Sequence, residues 1–214
     1  MHKIKYLILP LLLLLSLGLS AQNFNGGFLA GGTVSQVNGD PYRGFHQLGW
    51  TAGAFLNLPM GNDFYFHTEL KYALFGSHSD VKEEDAGLHH YNLRLHYAEI
   101  PFMFCYNFSR LRIHGKPLDF ITLELGGSFD FLLFHKDATN FTANETAPWR
   151  FFSVTANAGL HFDLTKNWGI GVRSMNSITP IRYTDSPGFH YGHYYNIVLQ
   201  AVVTYTFNAA RDAK

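Results

Sequence analysis

Only one cysteine, Cys105, occurs in the chain, and it lies deep in the sequence. That leaves neither a disulfide framework nor a lipid-modified cysteine behind a leader segment. Charge is scarce: Asp, Glu, Lys and Arg together make up 15% of the residues, too thin a coat to keep a soluble domain of this apolar content dispersed. Sixteen basic residues balance sixteen acidic ones, so no global field draws the chain to nucleic acid. After residue 21 no apolar run approaches the roughly 20 residues that a helix needs to cross a bilayer. There is no G-x-S-x-G, no H-E-x-x-H and no phosphate-cradling glycine loop, so the motifs give no ground for expecting a cofactor.

What the chain has in excess is rings and alternation. Aromatics reach 16%, with 20 Phe and 12 Tyr among 214 residues. From Asn196 to Phe207 the odd positions run Ile197, Leu199, Ala201, Val203, Tyr205, Phe207, whereas Asn196, Gln200, Thr204 and Thr206 occupy even ones. Phe152, Val154, Ala156, Ala158, Leu160 and Phe162 alternate with Ser153, Thr155, Asn157, His161 and Asp163. Ile121, Leu123, Leu125, Phe129, Phe131 and Leu133 oppose Thr122, Glu124, Ser128 and Asp130. Phe64, Phe66, Leu70, Tyr72 and Leu74 oppose His67, Glu69 and Lys71. Each is a strand with one greasy and one polar face. The charges sit in mid-strand, on the face turned from the apolar one.

Eight such strands are expected, near 24–35, 45–58, 63–76, 90–108, 117–133, 149–164, 167–181 and 194–207. Alternation alone suits a soluble sandwich as well as a membrane barrel. The connections favour the barrel. They alternate between long segments (36–44, 77–89, 134–148, 182–193) and tight ones (Pro59 to Asn62, Thr165-Lys166), with an intermediate one at 109–116. Short turns at one end and long loops at the other mark outer-membrane barrels, with the short set and both termini in the periplasm. Aromatics at strand ends, such as Phe64, Tyr65, Trp149, Trp168, Tyr194 and Tyr195, suit interfacial girdles, and many in-strand glycines suit tight curvature. The reading is therefore an all-β, eight-stranded antiparallel up-and-down transmembrane barrel.

At the N-terminus His2, Lys3 and Lys5 precede a Leu-rich run over residues 6–19 and the small pair Ser20-Ala21. That pattern is a secretory signal with cleavage before Gln22. The expected organisation is a signal peptide at 1–21, a barrel at 22–207 and a short tail at 208–214.

Glu69, Lys71, Glu99, Glu124, Asp130 and Arg173 would point into a lumen just wide enough for side chains. Isolated charges there are costly, so an ion-paired polar interior is expected, and with it no open pore. The rival reading of the same residues is an acid/base site. Clustered histidines, His78, His89, His90, His96 and His190-x-x-His193, raise metal binding, but no spacing matches a closed site and surface polarity is the simpler reading. Lys82-Glu83-Glu84-Asp85 reads as a solvated loop tip. Pro101 lies inside the fourth strand, where it cannot donate to the ladder, and the apolar parity changes from Leu93 and Leu95 to Ile100, Phe102 and Phe104. A bulge between Leu95 and Ile100 reconciles both; so does an extramembrane extension over 90–96.

The segments Gly27-x-x-Ala30-Gly31, Gly44-Phe45-His46, Glu69-Leu70-x-Tyr72 and Tyr97-x-Glu99-Ile100-Pro101, in this order, make the chain resemble the PorT-like outer-membrane β-barrel family of Gram-negative bacteria. Ala98, between Tyr97 and Glu99, stands where that family usually has a bulkier aliphatic residue. The resemblance implies a barrel embedded in outer-membrane lipid and a tie to an envelope or secretion-apparatus protein. Two functions stay in view. One is a non-enzymatic barrel acting through its outer loops or periplasmic contacts. The other is a small lipid-modifying enzyme, which would need a His with a Ser or carboxylate on the lipid-facing wall near a rim.

Overall fold

The computed structural model describes residues 24–40, 42, 44–79, 92–137, 148–183 and 193–207. The signal segment, the C-terminal tail, the acidic stretch Lys82 to Asp85 and His89, His90 and His190 lie outside the described residues. Eight long strands follow one another: β1 (Asn25–Asn38), β2 (Gln47–Pro59), β3 (Phe64–His78), β4 (Asn92–Ile113), β5 (Lys116–Asp137), β6 (Phe152–Asp163), β7 (Trp168–Ser177) and β9 (His193–Phe207). A two-residue strand, β8 (Arg182–Tyr183), pairs with the start of β9. Every neighbouring pair is antiparallel, and β9 returns to β1, so the sheet closes. Closure leaves no edge, which is the condition for strands to cross a bilayer. No helix among the described residues is long and apolar enough to cross one.

The register fixes the barrel's shape. A perpendicular walk from Gly26 passes Leu56, Thr68, Phe102, Gly127, Ala156, Asn176 and Ile197 and arrives back on β1 at Gln36. The stagger is thus ten residues for eight strands, which tilts the strands by about 40–45°. Strands this coiled approach closely in places. A Cβ at Gly31 would lie 2.0 Å from the Ala201 carbonyl oxygen, and one at Gly126 2.1 Å from that of Phe102.

The outer wall carries the greasy parity. Leu199 and Val203 on β9, Phe104 on β4, Leu70 on β3 and Phe129 on β5 are all exposed, while their polar neighbours Gln200, Thr204, Glu69 and Asp130 are buried inside. Rings pack along this wall as Phe64 on Tyr106, Phe66 on Phe104 and Trp168 on Tyr205.

Three expectations need correction. First, β4 keeps one parity throughout: Leu93, Leu95, Tyr97, Glu99, Pro101, Met103 and Cys105 all face inward. The ladder with β5 does shift register between Leu95 and Ile100, at His96/Tyr97, but β4 itself carries no extra residue there. The extra residue lies in the partner strand, where the pairing steps from His96↔Phe134 to Tyr97↔Leu132 and leaves Leu133 unpaired. Pro101 is accommodated differently. The β3–β4 ladder lapses between Thr68↔Phe102 and Lys71↔Glu99 and resumes in the same register, while the Thr68 hydroxyl donates to the Pro101 carbonyl (3.0 Å). Second, the connection over 109–116 is no intermediate loop. β4 and β5 run on to a two-residue turn at His114-Gly115, whose φ angles of 51° and 79° are the left-handed pair of a type I′ hairpin. Third, the interior is not polar throughout. Toward the long-loop end Val37, Ala73, Phe75, Leu93, Leu95, Tyr97, Leu132, Met175, Ile181, Tyr194 and Val198 form one buried apolar cluster.

Candidate functional site

Inside the barrel, two layers can be distinguished. The middle layer is ionic. Arg173 on β7 donates from Nη1 to Glu69 Oε1 on β3 (2.5 Å) and from Nε to Glu124 Oε2 on β5 (2.7 Å). Three strands lie between β7 and β3 either way round the barrel, so this one side chain ties opposite walls together. Lys71 lies 3.0 Å from Glu69 Oε2 and 3.4 Å from Glu99 Oε1, and it donates to Gln200 on β9 (3.2 Å). Side-chain exposure of these groups is 0–2%, so water contributes little to their solvation.

All six residues singled out from the sequence thus line the same lumen, but their bonding differs. Glu69 has both cations. Asp130 leans on hydroxyls, from Ser128 (2.8 Å) and from Thr155. Among the described residues Glu99 has no hydrogen-bond partner, and it stands directly opposite Asp130 in the ladder. Two cations therefore face four carboxylates. His67 joins the network from β3, contacting Asn57 Oδ1 (2.5 Å) and Glu69 Oε1 (2.7 Å). Its polar-face position was legible; its contact with Asn57 and its approach to Arg173 depend on the register around the barrel.

Of the motif residues, Tyr97 and Glu99 point inward, Pro101 lies below them, and Ile100 faces out. Tyr97 accepts from Asn196 Nδ2 (3.3 Å) and packs at a tilt against Phe75, with ring centroids 5.5 Å apart. It marks the border between the ionic layer and the apolar layer above. At the rim Trp149 packs on the apolar cluster, and the Arg182 guanidinium lies 4.8 Å from the Trp149 ring centre. Ile181, 1% exposed, fills the cluster from the segment that leads into β8.

At the tight-turn end the lumen opens into a polar vestibule of about 500 Å³, lined by Asp63, Tyr65, Asn107, Thr122 and Asp163 among others. There Arg110 and the Ser109 hydroxyl both hold the Asp63 carboxylate, at 2.5 Å each. His161 hydrogen-bonds Thr204 Oγ1 (3.0 Å) and stands 3.7 Å from Asp163. This hydroxyl, imidazole and carboxylate face the interior rather than the lipid. On the lipid-facing wall His96 pairs with the Tyr72 hydroxyl (2.5 Å) and stacks on Phe134. Among the described residues no group of three or more His, Cys, Asp or Glu could hold a metal ion.

The model of one family of sequences, described as the outer membrane protein beta-barrel domain, matches residues 5–183. The chain belongs to that family. As a member of it, the protein is an integral outer-membrane barrel. Among solved structures it is similar to Ail, the attachment invasion locus protein of Yersinia pestis (13% identity over 86% of this chain and 98% of that one, TM-score 0.48). It is also similar to Neisserial surface protein A (10%, 86% and 97%, TM-score 0.46) and to the outer membrane protein AlkL (12%, 88% and 93%, TM-score 0.40). No curated protein matches the sequence.

Proposed function

We propose that the protein is a sealed, non-enzymatic barrel that works through its long outer loops or its periplasmic vestibule, with residues 1–21 removed and both termini in the periplasm. The observation that carries this reading is the filled lumen. Leu93, Leu95, Tyr97, Met175, Ile181 and Val198 are each 0–1% exposed at the long-loop end, above an ionic layer that spans the bore. A plug of that density has no room for a substrate path, and a salt-bridged layer beneath it rigidifies the wall. The barrel then serves as a mount, with recognition left to its ends.

A link to an envelope or secretion-apparatus protein, as the PorT-like resemblance implies, belongs to the same reading. The polar vestibule, with Asp63 and Asp163 at its wall, is the surface such a partner would meet. Mild crosslinking in native membranes, followed by identification of captured proteins, tests it. A specific envelope partner lost on replacing Asp63 or Lys166, which also lines the vestibule, supports the reading. Discrete, stable channels in planar bilayers would overturn the sealed lumen.

A further inference from the structure

The bulge at Leu133 has an outer-wall effect. Below it the odd residues of β5, such as Phe129 and Phe131, share the lipid-facing side; above it the even ones do, so Phe134 and Lys136 turn outward. Lys136 then stands directly opposite Arg94 on β4, both exposed. Directly opposed residues have Cα atoms about 4.5–5.5 Å apart, and like charges so placed repel. Neither cation has an acidic partner among the described residues. Immediately below them lies a collar of rings: Trp50 against Tyr72 (4.5 Å between centroids), Tyr72 bonded to His96, and His96 stacked on Phe134 (4.0 Å). Such collars mark the level where headgroups begin. The His96 Nε2 is shielded and has no hydrogen-bond partner among the described residues. One step lower, Ala98 sits between Tyr72 and Phe131, a small residue flanked by two rings on the greasy wall.

We propose that Arg94 and Lys136 clamp a phosphate on the headgroup of an outer-leaflet glycolipid, with one of its acyl chains lying over Ala98 between Tyr72 and Phe131. A phosphate between the two cations converts their repulsion into two charge-assisted contacts, and the long arms of Arg and Lys reach a shared oxygen set from neighbouring strands. The collar sets the depth, and the gap at Ala98 admits the chain. The assignment to the outer leaflet rests on the proposed orientation, in which the long-loop end faces out.

The test uses the full mature protein purified in detergent, with native mass spectrometry counting bound lipid. The probes are bis-phosphorylated lipid A, the same lipid A stripped of phosphate, and inorganic phosphate. Wild type should hold one phosphorylated lipid A at least tenfold more tightly than the stripped form. R94Q/K136Q should lose that preference while keeping its heat-modifiable gel mobility, and K116Q, at the opposite hairpin tip, should keep it. Equal binding of both lipids by wild type, equal binding by wild type and R94Q/K136Q, or inorganic phosphate competing at the affinity of the lipid would each overturn the proposal. Orientation is read separately. Asn38→Cys in a Cys105→Ala background should react with an impermeant maleimide on intact cells; reaction only after lysis would reverse the barrel and remove the outer-leaflet assignment, whatever the lipid data show.

Discussion

Arg173 is the side chain whose loss the interior should feel most, and the order of rescue is sharper than the loss itself. Arg173→Met keeps much of the side-chain volume and removes the charge that serves Glu69 at 2.5 Å and Glu124 at 2.7 Å. Removing one partner from a buried pair costs about 3–5 kcal/mol, because the other charge is stranded in a medium that solvates it poorly. The two carboxylates are not stranded equally. Glu69 retains Lys71 at 3.0 Å, whereas among the described residues no other cation contacts Glu124. In the Arg173→Met background, Glu124→Gln should therefore restore most of the lost stability and Glu69→Gln little of it. The assay is urea unfolding of the barrel in phospholipid vesicles, read by tryptophan fluorescence and by gel mobility of the unboiled protein. A loss below about 1 kcal/mol for Arg173→Met, the range of solvated surface pairs, would mean that water reaches the layer. Equal rescue by the two glutamines would refute the pairing described.

Glu99→Gln is the opposite case: the carboxylate has no hydrogen-bond partner among the described residues and opposes Asp130, so its neutralisation should be neutral or stabilising in the same unfolding assay, and a loss above about 2 kcal/mol would show that Lys71 depends on it. Leu199→Arg or Val203→Arg, on the outer wall near mid-height, should cost about 2–4 kcal/mol, whereas the inward Thr204→Ser should be mild; single cysteines at 199 and 203, in a Cys105→Ala background, should react with a membrane-confined reagent and resist a water-soluble one. Gly115→Val should slow barrel formation and lower stability, since a β-branched residue resists a φ of 79°, and unchanged refolding would deny the type I′ turn. Lipopolysaccharide incubated with the purified barrel should keep its mass spectrum; new deacylated or acyl-transferred species would revive the lipid-modifying reading.

The architecture was legible because a two-residue period runs through long stretches of four strands and the turns alternate in length. The inward position of Glu69, Lys71, Glu124, Asp130 and Arg173 follows from parity alone. What parity cannot supply is register around a closed wall, so the reach of Arg173 from β7 to β3 was invisible while each strand was read by itself. The failures are equally specific. Leu93 and Leu95 are apolar and alternate, and nothing in the residues says whether such a face meets lipid or a protein core. That ambiguity created the supposed phase change in β4. The tight turn at His114-Gly115 escaped notice because His is an uncommon occupant of a left-handed position, where Asn or Asp would have announced it.

The long strands explain why both polarities coexist in one barrel. β4 has 22 residues, which at about 3.4 Å per residue and the tilt given above rise about 50 Å, twice the apolar band of about 25 Å that an outer membrane requires. Its outward greasy run, Ala98 through Tyr106, rises only about 20 Å, in keeping with that band. Above Ala98 the outward residues of β4 are His96, Arg94 and Asn92, and the inward ones are Tyr97, Leu95 and Leu93. Polarity has inverted across the wall because the solvent outside has changed: in lipid the wall can be greasy and the bore ionic, whereas in water the greasy groups must go inside. The bulge at Leu133 is placed at that boundary, and it lets β5 change which parity faces out while β4 does not. The apolar plug is thus the core of a part of the barrel that stands clear of the hydrocarbon, and the ionic layer belongs to the part within it.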